Sequence, residues 1–155
     1  MVFDSRIPVF HAPPVPDGLK SYIVWASHCK LTKDESTAFV LAFNAFASEY
    51  IQPNRKLFRV NIFILNEPSF TVHMKSSDSD DLANALHVIL IHVYKWRAAK
   101  LQVWQMVVSI LEELCHIFYL EEDEIKVEYL VTACAKHLWP DVQTGDLYTQ
   151  PPQNR

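Results

Sequence analysis

Glycine is almost missing from this chain: of 155 residues only Gly18 and Gly145 are glycines. Two glycines that far apart cannot build a phosphate-cradling loop or a Gly-x-Ser-x-Gly nucleophile elbow, which excludes P-loop nucleotide binding and elbow-type serine hydrolysis. Cysteine is equally sparse. Cys29, Cys115 and Cys134 are odd in number and widely spaced, so no disulfide framework is expected and a reducing, cytoplasmic setting is. No apolar run reaches the roughly 18 residues of a membrane span, so no membrane association is expected. The opening MVFDSRIPVFHAPP has no basic lead into an apolar run, so no signal peptide is expected either. A basic surplus is also lacking. The net charge is −4, and Arg55, Lys56 and Arg59 form too small a cluster for a nucleic-acid footprint, so nucleic acid is not an expected partner.

Apolar and aromatic residues supply what is abundant, at 50% and 12% of the chain, enough for one compact core. Prolines gather at the ends, at positions 8, 13, 14 and 16 and again at 140, 151 and 152. This composition predicts an extended N-terminal arm over 1–18, a single domain over 19–139 and a flexible tail over 140–155.

Within the domain, Tyr22 to Ala26 is short, aromatic and β-branched and predicts a strand. Thr32 and Glu35 form a capping box, followed by Phe39, Phe43, Phe46 and Tyr50 on one helical face, before Pro53 ends the run. Alternation of Phe58, Val60, Ile62 and Ile64 with Arg59, Asn61 and Phe63 predicts a half-buried strand. The turn Asn66-Glu67-Pro68-Ser69 would lead it into an antiparallel hairpin through Phe70, Val72 and Met74. Neither glycine nor proline occurs between Pro68 and Pro140. A single helix from 81 to 119 would be about 58 Å long, too long for this domain, so the β-branched 88–94 is read as a strand. Helices are expected over 101–119 and 123–138, the latter with Val127, Leu130, Val131, Cys134 and Leu138 inward. The order implies an α+β fold: a small antiparallel or mixed sheet packed by an N-terminal helix, followed by two further helices.

Charge is distributed unevenly. Between Leu101 and Ile125 there is no lysine or arginine, and between 112 and 128 seven acids face only Lys126. On the helix 101–119, Gln102, Gln105, Ser109, Glu112, Glu113 and His116 recur at spacings of three and four and form one polar stripe. Such a stripe is ordinarily the solvated edge of a core helix, but acids this concentrated repel one another unless they are well solvated or hold a cation. Cys115 adjoins His116 but points about 100° away on the helix, which places it in the core rather than in a Cys/His pair. His73, His87 and His92 read as edge or surface histidines, and His137 as a helix C-terminal charge.

The segment Glu112-Glu113-Leu114-Cys115-His116 resembles the HExxH helix of zincin-type metallopeptidases, with Glu112 standing where the first histidine of that motif belongs. The resemblance implies a divalent metal, zinc first and manganese or iron as alternatives. It implies His116 and Glu112 as metal ligands, Glu113 as the general base, and a further ligand among Asp123, Glu124 and Glu128. It thereby implies an atypical or degenerate metallopeptidase with weak or no hydrolytic activity, because anionic ligands oppose activation of a metal-bound water. A di-iron reading of Glu113-x-x-His116 lacks its second ExxH. The alternative from a different class is a non-enzymatic interaction module. It would bind a peptide or protein partner through the proline-rich termini or the acidic face.

Overall fold

The structure is a computed structural model and describes residues 10–50, 59–68 and 87–148. Its elements in chain order are α1 (Asp17–Lys20), β1 (Ile23–Ser27), α2 (Lys33–Tyr50), β2 (Val60–Leu65), β3 (His87–His92), α3 (Val93–Ala99), α4 (Val103–Tyr119), α5 (Glu124–Ala135) and α6 (Thr144–Tyr148). The α+β architecture follows the sequence pattern: a three-stranded sheet, then helices in succession.

The strands run parallel in the order β1-β2-β3, with Trp25 opposite Ile62 and Ile62 opposite Ile89. This corrects the hairpin expectation. Both edges of β2 are taken, by β1 along Val60–Ile64 and by β3 along Val60–Leu65, so no edge remains for an antiparallel partner. The hairpin's second arm, 70–74, lies outside the described residues, as do Phe58, Arg55, Lys56 and His73. One antiparallel bridge, Phe10 to Ser27, flanks β1. The central position also explains why β2 is buried at all six residues, Asn61 and Phe63 included, where alternation predicts one exposed face. A central strand of a parallel sheet is covered on both sides, and its sequence need only be apolar enough.

Ile62, Ile64, Ile89 and Ile91 point to a shared core with the helices. The capping box at the start of α2 forms as expected: Glu35 Oε2 accepts from the Thr32 amide at 2.8 Å, and Thr32 Oγ1 accepts from the Glu35 amide at 3.2 Å. Phe39, Phe43, Phe46 and Tyr50 are all buried. Trp25 meets Phe39 and Phe43 edge-on at 5.5 and 5.2 Å, joining α2 to the sheet. At the other end of α2, Phe46 and Tyr50 pack on Phe118 and Tyr119 of α4, and the Tyr50 hydroxyl donates to the Phe118 carbonyl at 3.1 Å.

The strand expected over 88–94 is observed as His87–His92. Val93 and Tyr94 already belong to α3. Without glycine, the chain breaks its helices at residues forced into the left-handed region: Lys100 (φ 52°) after α3 and Leu120 (φ 52°) after α4. Residues 140–148, part of the expected flexible tail, fold back on α5. Leu147 is buried, and Thr132 Oγ1 lies 3.1 Å from Thr144 Oγ1. At the other terminus Val15 and Leu19 join the core.

Candidate functional site

Helix α4 turns Met106, Val107, Ile110, Leu111, Leu114, Cys115 and Phe118 into the core, which leaves the polar stripe outward. The Gln102 amide donates to Gln105 Oε1 at 2.8 Å, so the first two stripe residues start the helix. Ser109 and Glu112 are half-buried, Glu113 is exposed and His116 is half-buried.

The side chains named by the sequence form two overlapping groups, joined by Glu112, which feels Glu113, Glu124 and His116 as well as Tyr148. On one side, His116 Nδ1 donates to the Glu121 carbonyl at 2.8 Å, because a carbonyl can only accept. Its Nε2 faces Glu124 Oε2 at 3.4 Å. Glu113 feels the charges of His116, Glu124 and His92. On the other side, Glu112 faces Tyr148 of α6, and Glu128 adds to the negative field at that phenol. The Tyr148 hydroxyl is buried without a hydrogen bond of normal geometry. Burial first, then the Glu112 carboxylate, pushes the Tyr148 phenol far above its ordinary range. Asp123 belongs to neither group. It caps α5, its Oδ1 accepting from the amides of Ile125 at 3.0 Å and Lys126 at 3.3 Å.

Desolvation raises the carboxyls of both Glu112 and Glu113 above the ordinary glutamate value, with repulsion from neighbouring acids adding to it and His116 opposing it. Loss of solvent is the larger cause in both, and repulsion between the acids is the lesser. Among the described residues, no group of three or more His, Cys, Asp or Glu side chains is arranged to hold a metal ion. Of the acids offered as a further ligand, Glu124 is the one that faces His116, Asp123 caps α5, and Glu128 lies on the Tyr148 side with Glu112.

These shifts have a consequence for stability. A carboxyl whose folded pKa lies above its unfolded one costs stability once pH rises past the unfolded value, and costs nothing when both states are protonated. Glu112→Gln should therefore stabilise the fold at pH 7 by on the order of 1 kcal/mol. The gain should vanish below about pH 4. Thermal unfolding of both proteins at the two pH values checks this; an equal gain at both would assign the effect to packing.

Cys115 is no nucleophile. The adjacent Cys134 thiol and full burial hold its pKa well above the ordinary thiol value, so it stays protonated in the core. His137 lies 3.0 Å from Glu49 Oε2, linking α2 to the turn after α5, which ends at Ala135 rather than at the expected 138.

Sequence reading missed the apolar residues exposed among the acids. Leu120, Ile125 and Tyr129 are 67%, 64% and 65% exposed. They surround the turn at which α5 departs from α4 at 113°. A groove of about 480 Å³ beside them is lined by Tyr119, Glu121, Lys126, Tyr129 and Leu130. One signal was available: Ile125 and Tyr129 are spaced i, i+4 and fall outside the expected inward set, of which Val127, Val131 and Cys134 are buried while Leu130 and Leu138 are only half-buried. Tyr148 had no signal, lying in a segment that reads as tail.

Comparison of the chain with protein-family models, with curated proteins and with solved structures finds no match to any of them.

Proposed function

We propose that this chain is a non-enzymatic interaction module whose contact surface is the acidic face carried by the end of α4 and the start of α5. One observation carries the reading. Large apolar side chains stand two-thirds exposed within a segment where Glu121, Glu122, Asp123 and Glu124 follow one another. Charge alone is accounted for by solvation, and a scattered exposed leucine needs no account. Several large apolar side chains left exposed within one short, charged segment are what a binding surface presents. The metallopeptidase reading implied by the EELCH resemblance is the competing proposal, and it needs ligands that converge.

A photo-crosslinking residue placed at Glu122 should yield a discrete adduct with a partner protein in cells. The same probe at Lys95, exposed on α3, should not. Adducts from neither position, or equally from both, would sink the reading. In parallel, a peptidase assay supplemented with zinc, manganese or iron should show no turnover. Robust turnover lost in Glu113→Gln would establish the metallopeptidase instead.

A further inference from the structure

The elbow between α4 and α5 puts a large apolar residue where the other left-handed helix stop of this chain carries a charged one, Lys100. Leu120 occupies the left-handed C-cap of α4, with φ 52° and ψ 42°. Glycine adopts this conformation freely, whereas a leucine pays for the crowding of its Cβ. The backbone bonds that close the helix run through main-chain atoms, the Glu121 amide donating to the His116 carbonyl at 3.2 Å, and need no side chain at 120. Nor does the side chain contribute to the core, because two-thirds of it faces solvent. The left-handed conformation is accounted for by the helix stop, as at Lys100, but the exposure of a leucine side chain there is not.

Its neighbours complete a surface. Ile125 and Tyr129 lie one turn apart on the outward side of α5, Tyr129 lining the groove with Tyr119 and Leu130, and Leu120 stands exposed at the turn that precedes them. Acids flank these side chains in sequence. Glu122, Asp123 and Glu124 are exposed, Asp123 capping α5 and Glu124 facing His116, while Lys126, a groove residue, lies 3.4 Å from Glu121.

We infer that this elbow docks a basic amphipathic helix of a partner protein, its apolar stripe on Leu120, Ile125 and Tyr129 and its lysines or arginines toward the acidic run centred on Glu122. The inference rests on the interaction-module reading and names the chemistry of the partner. Charge decides among the possible occupants. A second copy would bring the same acidic rim against itself, and the chain as a whole carries −4. An anionic bilayer would be repelled for the same reason. A helix whose apolar side chains recur at i, i+3 and i+4 matches exposed apolar residues one turn apart, and its basic flanks match the acidic run.

The test uses the full chain and two synthetic helices with the same leucine stripe, one with lysine on its polar face and one with glutamate, followed by fluorescence anisotropy. The leucine/lysine helix should bind, more weakly as salt is raised, and the leucine/glutamate helix should not. Leu120→Gly should lower affinity about tenfold or more, as loss of a central apolar anchor does. Its unfolding midpoint should be unchanged or higher, because glycine relieves the left-handed strain. Tyr129→Ser should act in the same direction, and Glu122→Lys should reduce affinity chiefly at low salt.

Binding of the lysine helix that survives both Leu120→Gly and Tyr129→Ser would be undirected charge attraction and would overturn the inference. So would binding to phosphatidylserine vesicles, or dimerisation in sedimentation, that Leu120→Gly abolishes. A Glu122 crosslink in cells with no binding of the lysine helix would leave the interaction module standing and refute the basic helix as its partner. Failure of both would remove the two together.

Discussion

Phe43→Ala is expected to cost the fold about 3 to 5 kcal/mol, the usual range for emptying a buried phenylalanine site. The ring is fully buried in the middle of α2 and meets Trp25 of β1 edge-on at 5.2 Å and Phe39 at 6.1 Å. Its site cannot collapse easily. The sheet stands on one side through Trp25, and α2 is held to α4 at its far end by the cluster of Phe46, Tyr50, Phe118 and Tyr119. Truncation therefore leaves a cavity between two layers that are each pinned elsewhere, and the lost contacts are not recovered by relaxation. Urea unfolding should show a lower midpoint with an unchanged slope. A loss under about 1 kcal/mol would place the ring outside the core.

Arg97→Ala should be nearly as damaging, at about 3 kcal/mol, for a different reason. Glu35 is buried, its side chain only 3% exposed, and Arg97 holds it bidentately, Nε to Oε1 at 2.7 Å and Nη2 to Oε2 at 2.9 Å. The same guanidinium donates to the Lys30 carbonyl and to Asn66 Oδ1, so it joins α3 to the loop before α2 and to the end of β2. Removing it leaves a carboxylate in the protein with only the Thr32 cap as partner, and the desolvation cost then goes uncompensated. Burial alone would raise the Glu35 pKa, but the bonds from Arg97 and Thr32 outweigh it and hold the carboxyl below its ordinary value.

The sign follows from that depression. The pair stabilises the fold above the unfolded glutamate pKa, near 4.3, and the contribution is lost as pH falls through the lower folded value. The stability gap between wild type and Arg97→Ala should therefore be full at pH 7 and close in acid. Arg97→Lys should recover only part of the loss, since an ammonium cannot span both carboxylate oxygens. A gap of the same size at pH 7 and at pH 3 would mean that the charge of Glu35 is not what Arg97 serves.

Local information in this chain was legible wherever one element carried its own pattern. Thr32 and Glu35 announce the start of α2, and the four aromatics behind them announce its buried face, because capping and a 3.6-residue period depend on neighbours within a turn or two. The β-branched run at 88–94 similarly resolves into β3, although its last two residues join α3. The inward positions of α5 and the outward stripe of α4 follow from the same periodicity. The identities of Glu112, Glu113 and His116 as stripe residues were readable; what each one faces was not.

Three things were decided only by the tertiary structure. Strand direction was one: an apolar alternation reads alike in an antiparallel hairpin and in a central parallel strand, and only the occupation of both edges of β2 tells them apart. Partnership at long range was another. Arg97 and Glu35 are 62 residues apart, and Glu112 meets Tyr148 across a stretch that reads as tail. No local spacing encodes such meetings, because they are set by how whole helices stack.

The third was the elbow. A glycine-poor sequence offers no visible stop after Tyr119, so the turn at Leu120, and the exposure of Leu120, Ile125 and Tyr129 that goes with it, appears only once the chain is bent. The sequence by itself determined β1, α2, β2, β3, α4 and α5, since these are short-range balances of backbone preference and apolar period, whereas α1, α3 and α6 were not read from it. The tertiary structure decided which strands pair, which charges meet and which apolar residues are left in water, since each depends on surfaces brought together from distant parts of the chain.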